Sequence, residues 1–197
     1  NRFAFVPHTG PNAIFQFAFD KTTGKLSPGK PSKLATPANT GPRHIVFHPR
    51  MNVAYVGNEQ GGSVTAYKFD KAAGILAPLQ TVSALPTDFR DTNACAELKI
   101  HPNGKWVFVS NRGHDSIARF SVDEVTGRLT LLGNAPTEKT PRSFDLDPQG
   151  RFLLAAGESS GKLAVYQIDA NSGDLKPAAT YTVGTTPWWV LVVRTAH

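Results

Sequence analysis

Asp123-Glu124-Val125-Thr126-Gly127-Arg128-Leu129 is one of four copies of a single pattern, an Asp followed four residues later by Gly-x-Leu. The others are Asp20…Gly24-Lys25-Leu26, Asp70…Gly74-Ile75-Leu76 and Asp169…Gly173-Asp174-Leu175, with the glycines 50, 53 and 46 residues apart. A second anchor is a Pro-turn: His48-Pro49-Arg50-Met51, His101-Pro102-Asn103-Gly104 and Asp147-Pro148-Gln149-Gly150, spaced by 53 and 46 residues. Two anchors that share the same unequal spacings mark a true internal repeat. Between them, short runs rich in β-branched and aromatic residues alternate with period two. Examples are Val53–Val56, Val64–Phe69, Trp106–Ser110, Ile117–Val122, Phe152–Ala155 and Leu163–Ile168. The Pro-turn joins the first two strands of each unit (a and b), and the Asp-x-x-x-Gly turn joins the last two (c and d). Its Gly is expected to supply a positive φ.

Four strands in roughly 40–50 residues make a β-propeller blade. The chain is read as all-β, about four blades' worth of a propeller ring of four to eight blades, and as one domain. Residues 1–40 supply strands b to d of one blade. Residues 41–90, 91–140 and 141–186 are full blades, and 187–197 give strand a of a closing blade, able in principle to complete the b–d blade at the start. The chain begins without Met inside a strand pattern, so further N-terminal blades are expected. A sandwich of similar hairpins is the competing architecture; the matched spacings argue against it.

Composition narrows function. Of 197 residues, 40% are apolar and 18% charged, which suits a packed domain rather than a disordered chain. The net charge of +6 is spread over scattered Lys and Arg, so a nucleic-acid stripe is not expected; a solvated, mildly basic surface accounts for the charge, and a site for an acidic small molecule fits it equally well. The longest apolar run, Trp188–Val193, has strand length, far short of a bilayer span. Cys95 is the only cysteine, which rules out an intrachain disulfide and favours a cytoplasmic protein. Phosphate-loop, dinucleotide, Gly-x-Ser-x-Gly and paired-His metal motifs are lacking, and catalysis is expected to need no cofactor.

Setting the Pro-turns in register superposes Pro42-Arg43-His44, Cys95-Ala96-Glu97 and Pro141-Arg142-Ser143, with Pro187-Trp188-Trp189 in the last unit. Strand a lines the channel of a propeller, so Arg43, His44, Glu97, Arg142 and Trp188 are expected around one mouth. The b–c loops open on the same face, and Asn111-Arg112-Gly113-His114-Asp115-Ser116 is the richest of them. The long d–a connection around Leu85–Asn93 is expected there as a binding or lid loop. Arg, His and Glu converging on one mouth suit ester or lactone chemistry, with a base and an anion clamp. His48 and His101 fall on the opposite face and are expected to be structural.

Phe5-Val6-Pro7-His8-Thr9-Gly10-Pro11-Asn12, Gly41–Pro49, Ala96–Ile100 and Ser110–Ile117 resemble the lactonase family of seven-bladed propellers. That family contains the bacterial cycloisomerase-type 6-phosphogluconolactonases and the fungal carboxymuconate cyclases. The resemblance implies a cofactor-independent site with His44, Glu97 and Arg112 as catalytic residues. Glu97 or His44 would activate water and Arg112 would steady the oxyanion. Arg43, His114 and Arg142 would bind an anionic lactone, and neither a nucleic acid nor a membrane is implied as partner. A lactonising cyclase and a non-catalytic binding propeller are the alternatives.

Overall fold

The computed structural model describes residues 2–195. The first sheet holds β1 (Phe3–His8), β2 (Ala13–Phe19) and β3 (Leu26–Ala35). The second blade holds β4 (Pro42–Phe47), β5 (Val53–Asn58), β6 (Ser63–Asp70) and β7 (Ile75–Ser83). The third holds β8 (Ala94–Ile100), β9 (Trp106–Arg112), β10 (Ser116–Val122) and β11 (Leu129–Pro136), and the fourth β12 (Pro141–Leu146), β13 (Phe152–Gly157), β14 (Lys162–Ile168) and β15 (Leu175–Thr182). Every sheet is an antiparallel meander in chain order, and the innermost strands β4, β8 and β12 lie side by side. Among the described residues there is no helix.

The core lies between blades, because the middle strands are buried on both faces. In β5, Val53 and Tyr55 pack with Leu98, Val107 and Phe120 of the third blade, while Ala54 and Val56 pack with Ile14 of the first sheet. β9 does the same: Val107 and Val109 face the second blade, Trp106 and Phe108 the fourth. Period two in these strands therefore sorts residues between two neighbours rather than between core and water.

The Asp-x-x-x-Gly turns explain their own pattern. Gly24, Gly74, Gly127 and Gly173 all sit at φ of 71–72°, and each donates its N–H to the carbonyl of the turn's Asp. The Asp side chains accept the N–H groups two and three residues on, as Asp70 Oδ1 does from Ala72 and Ala73 at 2.8 and 3.0 Å. The same glycines let the turn lie on the preceding blade: Gly74 on Phe3, Gly127 on Val53, Gly173 on Trp106.

The Pro-turn histidines are staples between blades. His48 Nε2 donates to Gly104 O at 3.0 Å and His101 Nε2 to Gly150 O at 2.7 Å, each in the next blade's Pro-turn. Their Nδ1 atoms accept local N–H groups, which fixes a neutral tautomer. The structural role expected for both is what the structure shows.

One expectation needs correction. Residues 187–193 form no strand ladder and do not pair with β1. The N–H groups of Val190 and Val192 are taken instead by side chains of β12, Ser143 Oγ at 3.0 Å and Asp145 Oδ2 at 2.9 Å. Residues 196–197 of that expected strand lie outside the described residues.

Candidate active site

The inner strands begin earlier than their apolar runs suggest, and each carries a β-bulge at its first turn of pleat. Between β4 and β5 the register steps from Pro42↔Asn58 to His44↔Gly57, leaving Arg43 as the extra residue. Between β12 and β13 it steps from Pro141↔Gly157 to Ser143↔Ala156, leaving Arg142. In β8 the step falls between Cys95 and Leu98, across Ala96 and Glu97. A bulge re-aims side chains locally, and these three turn Arg43, Glu97 and Arg142 to the channel mouth.

There, Arg43, His44, Glu97, Arg142, Trp188 and Trp189 line one cavity of about 270 Å³, close to the lower end of ligand-pocket volumes. Larger hollows occur elsewhere on the described surface, but they lack this convergence of ionisable groups. His44 Nδ1 lies 2.7 Å from Glu97 Oε1, and His44 Nε2 lies 2.7 Å from Arg43 Nη1. The Glu97 side chain is 4% exposed and that of His44 26%. Glu97 Oε1 also accepts the Leu98 N–H at 3.1 Å, so a buried carboxylate is held by its own backbone and by the imidazole. Arg142 stacks over Trp188, 5.0 Å from the ring centroid, and lies 3.7 Å from Glu158 Oε2.

Arg43 is pushed below the usual guanidinium value. Burial is the main cause, and the neighbouring cations Arg112 and Arg142 add to it; Glu59 opposes the shift most strongly. Arg43 Nε is 3.4 Å from Glu59 Oε2.

Two expected residues lie outside this cavity. Arg112 pairs through Nη2 with Glu59 Oε1, and donates from Nε to Ala94 O at 3.3 Å and from Nη2 to Cys95 O at 3.2 Å. His114 turns away, with Nδ1 2.6 Å from Ser116 Oγ and its ring against Phe89. Much of the Asn111–Ser116 motif is scaffold. Asn111 Nδ2 donates to Ala84 O, and Asp115, at φ 51°, takes the Thr140 N–H that leads into β12.

Glu59, Glu158 and Trp189 belong to the site but carry no role in the sequence reading. A signal for the two glutamates is present. Arg43 and Glu59, Ala96 and Arg112, and Arg142 and Glu158 occupy equivalent places, each pair separated by the same interval in the chain. Two blades pair a bulge arginine with a loop glutamate. The third has Ala96 and Arg112 at those places, so Arg112 reaches across to Glu59 of the second blade.

The family described as "Lactonase, 7-bladed beta-propeller" matches residues 1–192. A protein of Pectobacterium carotovorum named 6-phosphogluconolactonase is 44% identical over 171 residues, 87% of this chain and 52% of its own length. One of the same name from Serratia proteamaculans is 36% identical over 193 residues, 98% of this chain and 58% of its own. The structure of a Pseudomonas aeruginosa periplasmic gluconolactonase superposes with a TM-score of 0.87 at 28% identity, covering 94% of this chain and 52% of that one. The chain spans about half the length of the curated relatives it matches.

Proposed function

From the premise that this chain belongs to the lactonase family of seven-bladed β-propellers, we propose that it carries the working mouth of a lactone hydrolase that opens an anionic sugar lactone of the 6-phosphogluconolactone class. The observation that carries the reading is the Glu97–His44 pair at 2.7 Å in a channel-mouth cavity edged by Arg43 and Arg142.

The division of labour follows from exposure and hydrogen bonding. Glu97 is the more buried partner, and its Oε1 is already shared with Leu98 N–H. It therefore orients His44 and steadies the imidazolium at Nδ1–H, while Nε2 is the base. Nε2 takes a proton from water as the water oxygen adds to the lactone carbonyl carbon. The ring C–O bond then breaks, and the leaving ring oxygen takes that proton back from Nε2. Arg142 and Arg43 hold the substrate's anionic group and the developing oxyanion. Arg112 acts through Glu59, behind the cavity, rather than on the oxyanion. The single cysteine suits a cytoplasmic site of action, and the reaction carried by His44, Glu97 and the arginines calls for no cofactor.

The test is turnover of 6-phosphogluconolactone by the protein carrying the full ring. Glu97→Gln should lower kcat at least about a hundredfold, the scale of a general-base system. Unchanged kcat removes Glu97 from the mechanism, and turnover of carboxymuconate instead would move the site to lactone-closing chemistry.

A further inference from the structure

The contact that completes the mouth also blocks it. A guanidinium has donors only, so Arg43 Nη1, 2.7 Å from His44 Nε2, must donate to that nitrogen. Nε2 is then the lone-pair nitrogen and Nδ1 carries the hydrogen, which goes to Glu97 Oε1 at 2.7 Å. The imidazole lone pair, the base of the proposed reaction, is therefore already occupied. Arg43 is held in that position from behind by Glu59, whose other oxygen takes Arg112. Arg43 is half-buried, with the cations Arg112 and Arg142 opposing its charge, and its charged partner, Glu59, meets it through Nε rather than Nη1. Its Nη1 donor thus has a neutral acceptor in a place where an anionic one would serve better.

We infer that Arg43 is a removable mask on His44: an anionic oxygen group of the substrate, phosphate or carboxylate, draws the guanidinium off Nε2 and thereby frees the base. An oxyanion meets a guanidinium with opposite charge and can accept two of its donors at once, whereas the imidazole offers one neutral lone pair, so an oxyanion entering between Arg43 and Arg142 outcompetes the imidazole. A neutral lactone offers no such acceptor and meets a masked base. Arg43 is then a specificity determinant that selects charged lactones by coupling their binding to base activation, and Glu59 is the residue that positions it. The inference rests on the lactone-hydrolase reading for its biological sense, but the mask itself is a property of the ground state.

Two measurements separate the two ideas. In the first, the 197-residue chain labelled with ¹⁵N-histidine is followed by long-range proton–nitrogen NMR, with His44 assigned by its loss in His44→Gln. Inorganic phosphate is the probe. The Nε2 resonance is expected to move saturably toward a non-bonded value while Nδ1 stays protonated; in Arg43→Gln, Nε2 sits at that end point without phosphate. Arg43→Lys and Glu59→Gln should give intermediate positions. An Nε2 resonance indifferent to Arg43→Gln, or one that phosphate moves equally in that variant, overturns the mask. In the second, the full-ring protein is assayed on gluconolactone and its 6-phosphate. Arg43→Gln should weaken the phosphorylated substrate at least about tenfold, the scale of a lost charged hydrogen bond. Added phosphate should stimulate turnover of the neutral lactone by the parent protein, and Arg43→Gln should raise that turnover and abolish the stimulation. A fall of both substrates by the same factor overturns the selectivity. Inactivity on every lactone, with the NMR response intact, refutes the lactone-hydrolase reading and leaves the mask standing.

Discussion

Replacing Gly150 by Ala tests whether the blades are held in line by the Pro-turn histidines. Gly150 sits at φ 72°, and a Cβ there would overlap the His101 ring at less than 3.0 Å from Nε2. Gly24, at φ 71°, is its control, because a Cβ added there meets nothing within 4 Å. Both changes force Ala into the left-handed region, at about 1–2 kcal/mol. Only Gly150→Ala also evicts the imidazole, which donates to Gly150 O at 2.7 Å and accepts the Asn103 N–H at 3.1 Å from a site 6% exposed. Losing that pair of bonds in a buried place adds about 1–3 kcal/mol. For a chain of this size each kcal/mol moves Tm by about 2–4 °C. Gly150→Ala should therefore melt below Gly24→Ala by at least a few degrees, read by calorimetry or circular dichroism. In a His101→Ala background the excess should vanish, since the partner that Cβ displaces is already gone. Equal melting of the two glycine variants would refute the staple.

Acid should find the c–d turns. The Asp20 carboxyl is held below its usual range first by the Thr23 hydroxyl, and those of Asp70, Asp123 and Asp169 first by the N–H groups of Ala73, Thr126 and Ser172. A depressed folded value gives stability that is complete above the unfolded carboxylate value of about 3.9 and is lost as pH falls through the folded one. Asp123→Asn, which keeps an acceptor but cannot titrate, should shrink the fall in Tm between pH 5 and pH 3; an unchanged fall removes these turns from the acid response. Cys95, 1% exposed and with its thiol pushed up to about 12 by burial, should resist alkylation at pH 8 in the folded protein and react once denatured; labelling at the native rate of a surface thiol would show the site open. Asp145→Ala removes the acceptor of Val192 N–H and the partner of Lys99 at 3.2 Å. Chymotryptic cleavage after the exposed Trp188 and Trp189 should then quicken severalfold, and an unchanged rate would mean the segment is held by other contacts.

How much of this was legible in the sequence depends on what each residue's position is fixed by. The blades were legible because local chemistry closes their turns: an Asp that caps two N–H groups and a Gly that accepts φ near 70° leave the same mark in each copy. The channel mouth was legible because equivalent residues in equivalent blades must share a face, which places Arg43, His44, Glu97, Arg142 and Trp188 together, as they line one cavity. Depth was not legible. The b–c loop places Arg112 and His114 on the right face, but only the packing decides that Arg112 turns back to the carbonyls of Ala94 and Cys95 and that His114 meets Phe89. The ladder also hides the bulges, since a register step leaves no residue type of its own.

The charge pattern across blades was present and unread. A bulge arginine needs a carboxylate when it is half withdrawn from water, and the repeat supplies one at the matching loop position in the second and fourth blades. In the third blade the positions carry Ala96 and Arg112, so the cation has moved from strand to loop and has no carboxylate of its own blade at the matching place. Glu59 must then serve two guanidiniums, one from each blade. That sharing has a consequence for the site. Whatever shifts Arg112 changes the field that holds Arg43, and Arg43 is the group on His44 Nε2. Arg112 therefore reaches the base through two intervening side chains, without touching the cavity. Arg112→Lys, which keeps the charge but loses the fork that spans Glu59 and two carbonyls, should shift the His44 Nε2 resonance while Nδ1 stays protonated on Glu97; an unmoved Nε2 resonance would refute the coupling.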